Sequence, residues 1–278
     1  MSAASSSAMF LIRADHSVWE YSSNYGWLQL TSPGFAVSVS AVHESATGND
    51  VVYALATNGF VYQYHLGAPW TLVGGYFTSI SAGHDASGFA EVFAVTRNNG
   101  LYEFNRTGVK RLATNVASVT TAGAETAYAV LADGSVSTFT STGSTSIAPA
   151  GSAVQVVATA PSSGSPSIYI LNQQGFVYVN AGGGWNGLFG GVGAMSAGTD
   201  ANGNAAFFAI GGINGGLTLP ALYEFSSQAN GQQLGYFQQT LSATDSDTVF
   251  VTLSDHSVWS HTIIGGWVNL APSGTSLA

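Results

Sequence analysis

The sequence predicts an all-β fold. It reads as a seven-bladed β-propeller with four antiparallel strands per blade, a ring closed by the two termini, and residues 1–278 in a single domain. Three observations lead there. One short apolar signature recurs seven times. The copies lie about 40 residues apart, the length of a four-stranded propeller blade. No stretch has helical periodicity, whereas the repeated pieces are short, β-branched or aromatic, and bounded by Gly, Asn, Asp and Ser.

The signature runs through Met9-Phe10-Leu11-Ile12, Val52-Tyr53-Ala54-Leu55, Val92-Phe93-Ala94-Val95 and Ala127-Tyr128-Ala129-Val130. It continues at Ile168-Tyr169-Ile170-Leu171, Phe207-Phe208-Ala209-Ile210 and Val249-Phe250-Val251-Thr252. A second strand signature follows each copy, as in Val18-Trp19-Glu20-Tyr21, Val61-Tyr62-Gln63-Tyr64 and Leu101-Tyr102-Glu103-Phe104. A third piece opens with Trp in four copies, at Trp27, Trp70, Trp185 and Trp267. The fourth is a strand of small residues, such as Ser79-Ile80-Ser81-Ala82-Gly83. Its Ala residues, Ala3, Ala41, Ala82, Ala122, Ala158, Ala197 and Ala243, are spaced by 38, 41, 40, 36, 39 and 46 residues. The longest interval holds the insertion Gly211–Pro220, expected to be a surface loop between the second and third strands of its blade.

The pairs Asn58-Gly59, Asn99-Gly100 and Asp133-Gly134 are expected to form two-residue hairpin turns, which need positive φ. The ends match one another. Leu270 to Ala278 aligns with Leu30 to Ser38, and Met1-Ser2-Ala3 continues that register as Val39-Ser40-Ala41 does. The last and first segments are therefore expected to meet in one blade, completed by Phe10 and Trp19, which leaves no open sheet edge.

Composition excludes several function classes. Charged residues are 7 %, against roughly 25 % in an average soluble protein. Asp and Glu number 14 and Lys and Arg 5, a net charge of −9, so no basic footprint for nucleic acid exists. The apolar content of 46 % argues against disorder, and no run of about 20 apolar residues suggests a membrane span. Cys is absent, which removes disulfides, thiolate metal sites and a Cys nucleophile. Residues 1–8 show neither the positive nor the apolar region of a signal peptide.

Motifs for chemistry are few. Gly-x-Ser-x-Gly, His-Glu-x-x-His and Walker loops are absent, so no catalytic residue, cofactor or metal is assigned and the chain is read as a non-enzyme. His16 and His256 share one repeat position and read as turn residues. Asp85-Ala86-Ser87-Gly88 and Asp200-Ala201-Asn202-Gly203-Asn204 resemble pieces of calcium loops, but lack a bidentate acid further on and read as Asx turns. Arg97, Arg106, Lys110 and Arg111 gather in one repeat. They read either as an anion site for a charged glycan or, as expected by default, as a solvated edge that blocks strand pairing.

The order of Ser81-Ala82-Gly83, Phe93-Ala94-Val95, Leu101-Tyr102 and Trp70-x-x-Val73 resembles the tectonin-repeat class of β-propellers and, more distantly, other propeller lectins. The resemblance covers the whole chain at the level of repeat grammar, although the third, fourth and sixth units lack the Trp. It implies that the Ser-Ala-Gly strand is innermost and that sugars or cell-surface glycans are bound.

The Trp set is the most informative feature. An exposed indole stacks on the C–H face of a pyranose, while nearby Asn, Asp and Gln bond its hydroxyls. Trp27, Trp70, Trp185 and Trp267 are accordingly the candidate carbohydrate-binding residues; the alternative is that each packs between neighbouring blades. Trp19 and Trp259 replace a Tyr of the third strand and are expected in the core. The expected function is multivalent, metal-independent binding of neutral glycans by a monomer, outside the cell or on its surface. A structural or protein-interaction scaffold, natural or engineered, is the alternative.

Overall fold

The computed structural model describes residues 1–161, 165–200, 202–212, 221–226, 230–236, 238–244, 247–262 and 265–271. The chain is a seven-bladed β-propeller of four-stranded antiparallel blades, with no helix among the described residues. Each blade is made of four consecutive strands paired in chain order. Internal contacts divide the chain into two compact units, Met1–Val156 and Val157–Ala278. Blades 1 to 4, residues 2–29, 36–75, 77–113 and 116–148, lie in the first unit. Blade 5, residues 155–189, begins at the division, and blades 6 and 7, residues 192–236 and 238–271, lie in the second unit.

The uninterrupted apolar run of each second strand follows from burial on both faces. In blade 2, Val52 and Ala54 pack toward Phe10 and Val18 of blade 1. The alternate residues Val51, Tyr53 and Leu55 pack toward Val92 and Ala94 of blade 3. In blade 3, Phe93 and Val95 in turn meet Ala127 and Ala129 of blade 4. The second unit repeats the scheme. Phe207 and Ala209 of blade 6 pack with Tyr169 and Leu171 of blade 5, and Phe208 and Ile210 pack with Val249 and Val251 of blade 7. Because side chains alternate across a strand, a sheet covered on both sides needs an apolar residue at every position.

The recurrent Ser-Ala pair has a definite role. The Ala41 N–H of blade 2 donates to Ser2 Oγ of blade 1 at 2.9 Å. The Ala82 N–H of blade 3 donates to Ser40 Oγ at 2.8 Å, and the Ala243 N–H of blade 7 to Ser196 Oγ of blade 6 at 3.0 Å. In blade 4, Thr121 stands at the Ser position and its Oγ1 lies 3.2 Å from Ser81 Oγ. First strands of adjacent blades are thus joined side chain to backbone, which requires a short hydroxyl followed by a residue too small to push the strands apart.

The turns between second and third strands differ from the expected two-residue form. They close through bonds such as Gly59 N–H to Ala56 O and Asn99 N–H to Thr96 O, both 2.9 Å. Each pair contains one left-handed residue instead of two: Gly59 at φ 84°, Asn99 at φ 58° and Gly134 at φ 78°. His16 and His256, both at φ 65°, fill the same place, as expected of turn residues. The cause is docking of the next blade. The carbonyl of the left-handed residue accepts from the residue that starts it, as Gly59 O does from Phe77 N–H at 3.0 Å and Asn99 O from Val116 N–H at 2.9 Å. Asp15, Asn58, Asp133 and Asp255 close Asx turns beside it by accepting from the amide two residues on.

The N-terminal segment forms the first strand of its blade, Ser2–Ser5, with Ser2 opposite Phe10 and Leu11 opposite Trp19. Its expected meeting with Thr275–Ala278 lies outside the described residues. Of the insertion, Gly211 is the last residue of a strand and pairs with Ala221; residues 213–220 lie outside the described residues.

Candidate functional site

The four candidate Trp residues occupy one repeat position, at or just before the start of the fourth strand, and all are half-buried. Each falls in a different blade, so no single site gathers them. For three of them the local setting is an aromatic pair across two strands. Trp27 lies opposite Tyr21 with ring centroids 5.2 Å apart, and Trp70 packs on Tyr64 at 5.1 Å. Trp267 lies opposite His261 at 4.7 Å. Burial lowers the His261 pKa, so this ring meets the indole neutral at pH 7.

Two of the indoles are fixed by a hydrogen bond to the preceding blade. Trp70 Nε1–H donates to Leu30 O at 3.3 Å and Trp267 Nε1–H to Leu234 O at 3.1 Å. Leu30 and Leu234 stand at corresponding places in blades 1 and 6. Phe35 adds a second ring on Trp70 at 5.3 Å, and Trp259 an edge contact on Trp267 at 6.5 Å. These indoles therefore serve interblade packing and keep part of their surface open.

Trp19 and Trp259 are half-buried, and Trp259 packs against the buried apolar cluster of blades 6 and 7. Ser17 and Ser257 hold their Nε1–H groups at 2.9 and 2.8 Å, which ties each ring to the rim turn preceding its strand. The Arg13 guanidinium covers Trp19 at 3.4 Å from the ring centroid.

The third strands carry buried acids that the sequence pattern does not single out. Glu20, Glu103 and Glu224 lie opposite Phe10, Phe93 and Phe208. In blades 2, 4 and 5 the second strand carries Tyr53, Tyr128 or Tyr169, and the residue opposite is Gln63, Thr138 or Val179. A polar oxygen thus comes from one strand or the other. Burial raises the Glu20 pKa against a hydrogen bond from the Tyr25 hydroxyl, and likewise raises that of Glu224. Glu91 is fully buried, and among the described residues its carboxylate oxygens have no side-chain hydrogen-bond partner, only a backbone contact from Glu125. Burial, with Glu103, Glu125 and Asp85 nearby, pushes its pKa up to about 8. Its signal in the sequence is an acid at the strand position where Ala8, Val51 and Ala206 stand in other blades.

The two calcium-like loops are Asx turns. Asp85 Oδ1 accepts from Ser87 and Phe89 amides at 2.8 and 3.1 Å, and Asp200 Oδ1 from Asn202 and Asn204 amides at 2.9 Å. Burial opposes the Asp85 charge, but those amides and Arg106, whose Nε lies 3.0 Å from Oδ2, hold its pKa below the ordinary value. Among the described residues, no group of three or more His, Asp or Glu is arranged to hold a metal ion. No helix among the described residues is long and apolar enough to cross a membrane.

No family model and no curated protein sequence matches the chain. Solved structures do. The BP39L lectin from Burkholderia pseudomallei superposes with a TM-score of 0.69 at 17 % identity, over 95 % of this chain and 95 % of that one. A mutant of the Aleuria aurantia lectin, solved with α-methyl-L-fucoside, gives 0.55 at 17 % identity, over 87 % and 98 %. Prp20p from Saccharomyces cerevisiae, described with its binding to Gsp1p and histones, gives 0.51 at 11 % identity, over 98 % and 77 %. The likeness is one of fold. Propellers of lectins and of a protein-binding protein share it, so the fold alone does not choose a ligand.

Proposed function

We propose that this chain is a multivalent, lectin-like propeller that binds neutral glycans without metal, with Trp27, Trp70, Trp185 and Trp267 as stacking platforms. The observation that carries the reading is the common state of these four side chains: one repeat position, each half-buried. The N–H of Trp70 and of Trp267 is already engaged by backbone, so a ligand on these two meets the apolar ring. Such a surface suits the C–H face of a sugar, with its hydroxyls left to water and to neighbouring polar side chains. Solved lectins of the same fold, one of them bound to a fucoside, support this reading. Single sites of this kind are weak, about millimolar, because one stacked ring offsets little beyond the cost of association. Repetition over four blades makes them useful on a glycan-coated surface.

The test is a glycan array together with isothermal titration of fucose, galactose and N-acetylglucosamine. Trp27→Ala and Trp185→Ala should each weaken array binding while the far-ultraviolet circular dichroism stays unchanged. A folded protein that retains no neutral glycan refutes the proposal. The second reading, a scaffold for protein partners, draws on the anchoring of Trp70 and Trp267 between blades. It would gain from a silent array.

A further inference from the structure

Blade 3 lacks the indole, and Phe77, where blade 2 has Ala36, packs edge-on against Phe104 at 5.4 Å. Trp70 packs on Tyr64 at the end of the third strand of blade 2; the corresponding residue of blade 3, Phe104, lies opposite Val109. Around Val109 a cleft of ≈ 630 Å³ opens between blades 2 and 3. That volume falls within the range usual for small-molecule sites. It is lined by Tyr76, Arg97, Tyr102, Phe104 and Arg111.

Three features set this cleft apart. Phe35, the counterpart of Tyr76 one blade earlier, rests on the Trp70 ring at 5.3 Å. Tyr76 has no indole to rest on and is 70 % exposed. Tyr76 also adopts φ 70°, in a link between blades where Asn115 and Gly191 provide the left-handed residue elsewhere. A Tyr there is strained, and strain kept at the mouth of a cleft points to function. Finally, the charge is reversed locally. In a chain of net charge −9, Arg106 pairs with Asp85, but no carboxylate lies in ion-pair contact with exposed Arg97 or Arg111 among the described residues.

We propose that the cleft between blades 2 and 3 binds an anionic pyranoside, a sugar ring bearing a carboxylate or sulfate. The ring takes the open volume beside Val109, against Tyr76 and Phe104. The anionic group is held by Arg97 and Arg111, whose planar forks suit carboxylate and sulfate oxygens. This rests on the reading that the chain binds saccharides, but it uses none of the four Trp platforms.

Isothermal titration with methyl β-D-glucuronide, methyl β-D-glucoside and sodium sulfate tests it. The glucuronide should bind at least about tenfold tighter than either control, and Arg97→Gln or Arg111→Gln should each weaken it by about tenfold. Val109→Trp, which places blade 2's indole in the cleft, should abolish glucuronide binding in a protein that still folds. Sulfate binding as tightly as glucuronide overturns the saccharide, and equal binding of glucuronide and glucoside overturns the anionic group. Loss of glucuronide binding alone, with neutral glycans still bound on an array, refutes this site and leaves the Trp platforms standing. Silence in both assays refutes both readings.

Discussion

Replacing Glu91 with Gln should stabilise the fold at pH 9 and change it little at pH 5. Burial and neighbouring acids raise its pKa from 4.5 to about 8, so the folded protein keeps a proton that the unfolded chain releases. The stability tied to that proton is fully present below pH 4.5 and is lost as pH rises through 8. At about 1.4 kcal/mol per pH unit, the interval from 4.5 to about 8 corresponds to an upper bound of ~5 kcal/mol. Relaxation and water entry around the ionised group reduce the penalty, and we expect about 2–3 kcal/mol. Gln keeps the shape and removes the titration. Urea unfolding followed by Trp fluorescence at pH 5, 7 and 9 reads the difference between the two proteins. It should grow across that interval in favour of the variant. A difference that stays constant from pH 5 to pH 9 would refute the assignment of the alkaline loss to Glu91. The acid limb has the opposite sign. Hydrogen bonds from Ser17, Ser135 and Ser257 lower the pKa values of Asp15, Asp133 and Asp255, so their contribution is lost as pH falls below about 4 in both proteins.

Ser40→Ala removes the acceptor for the Ala82 amide between blades 2 and 3 and should cost about 1–3 kcal/mol by urea titration, whereas Ser40→Thr should recover part of it. Tyr76→Asn relieves the left-handed strain and should raise stability by about 1 kcal/mol, because the lost side chain is largely exposed. The same substitution should weaken glucuronide binding, and a Tyr76→Asn protein that is less stable than the parent would count against the strain.

The fold was legible in the sequence because a propeller repeats one local problem. Val52-Tyr53-Ala54-Leu55 and its six counterparts must bury both faces, so the run is apolar but for Thr252 and recurs about every 40 residues. Asx turns at Asp85 and Asp200 were legible because their hydrogen bonds close within a few residues of the acid. The detailed turn form was not. Gly59 and Asn99 are left-handed because their carbonyls meet the next blade, a contact formed only in the folded chain.

The candidate site divides along the same line. The sequence alone places Trp27, Trp70, Trp185 and Trp267 at one recurring position, but it does not say how much of each ring packing covers. Tertiary structure decided that, by bringing Leu30 O to Trp70 and Leu234 O to Trp267 across a blade boundary. It also decided the cleft of blade 3. The absence of Trp at Val109 is visible in the sequence, but the opening of that space beside Tyr76, Arg97 and Arg111 depends on two blades meeting. Strand pairing is governed by residues near in sequence, whereas exposure, cavities and the raised pKa of Glu91 arise from what a neighbouring blade covers.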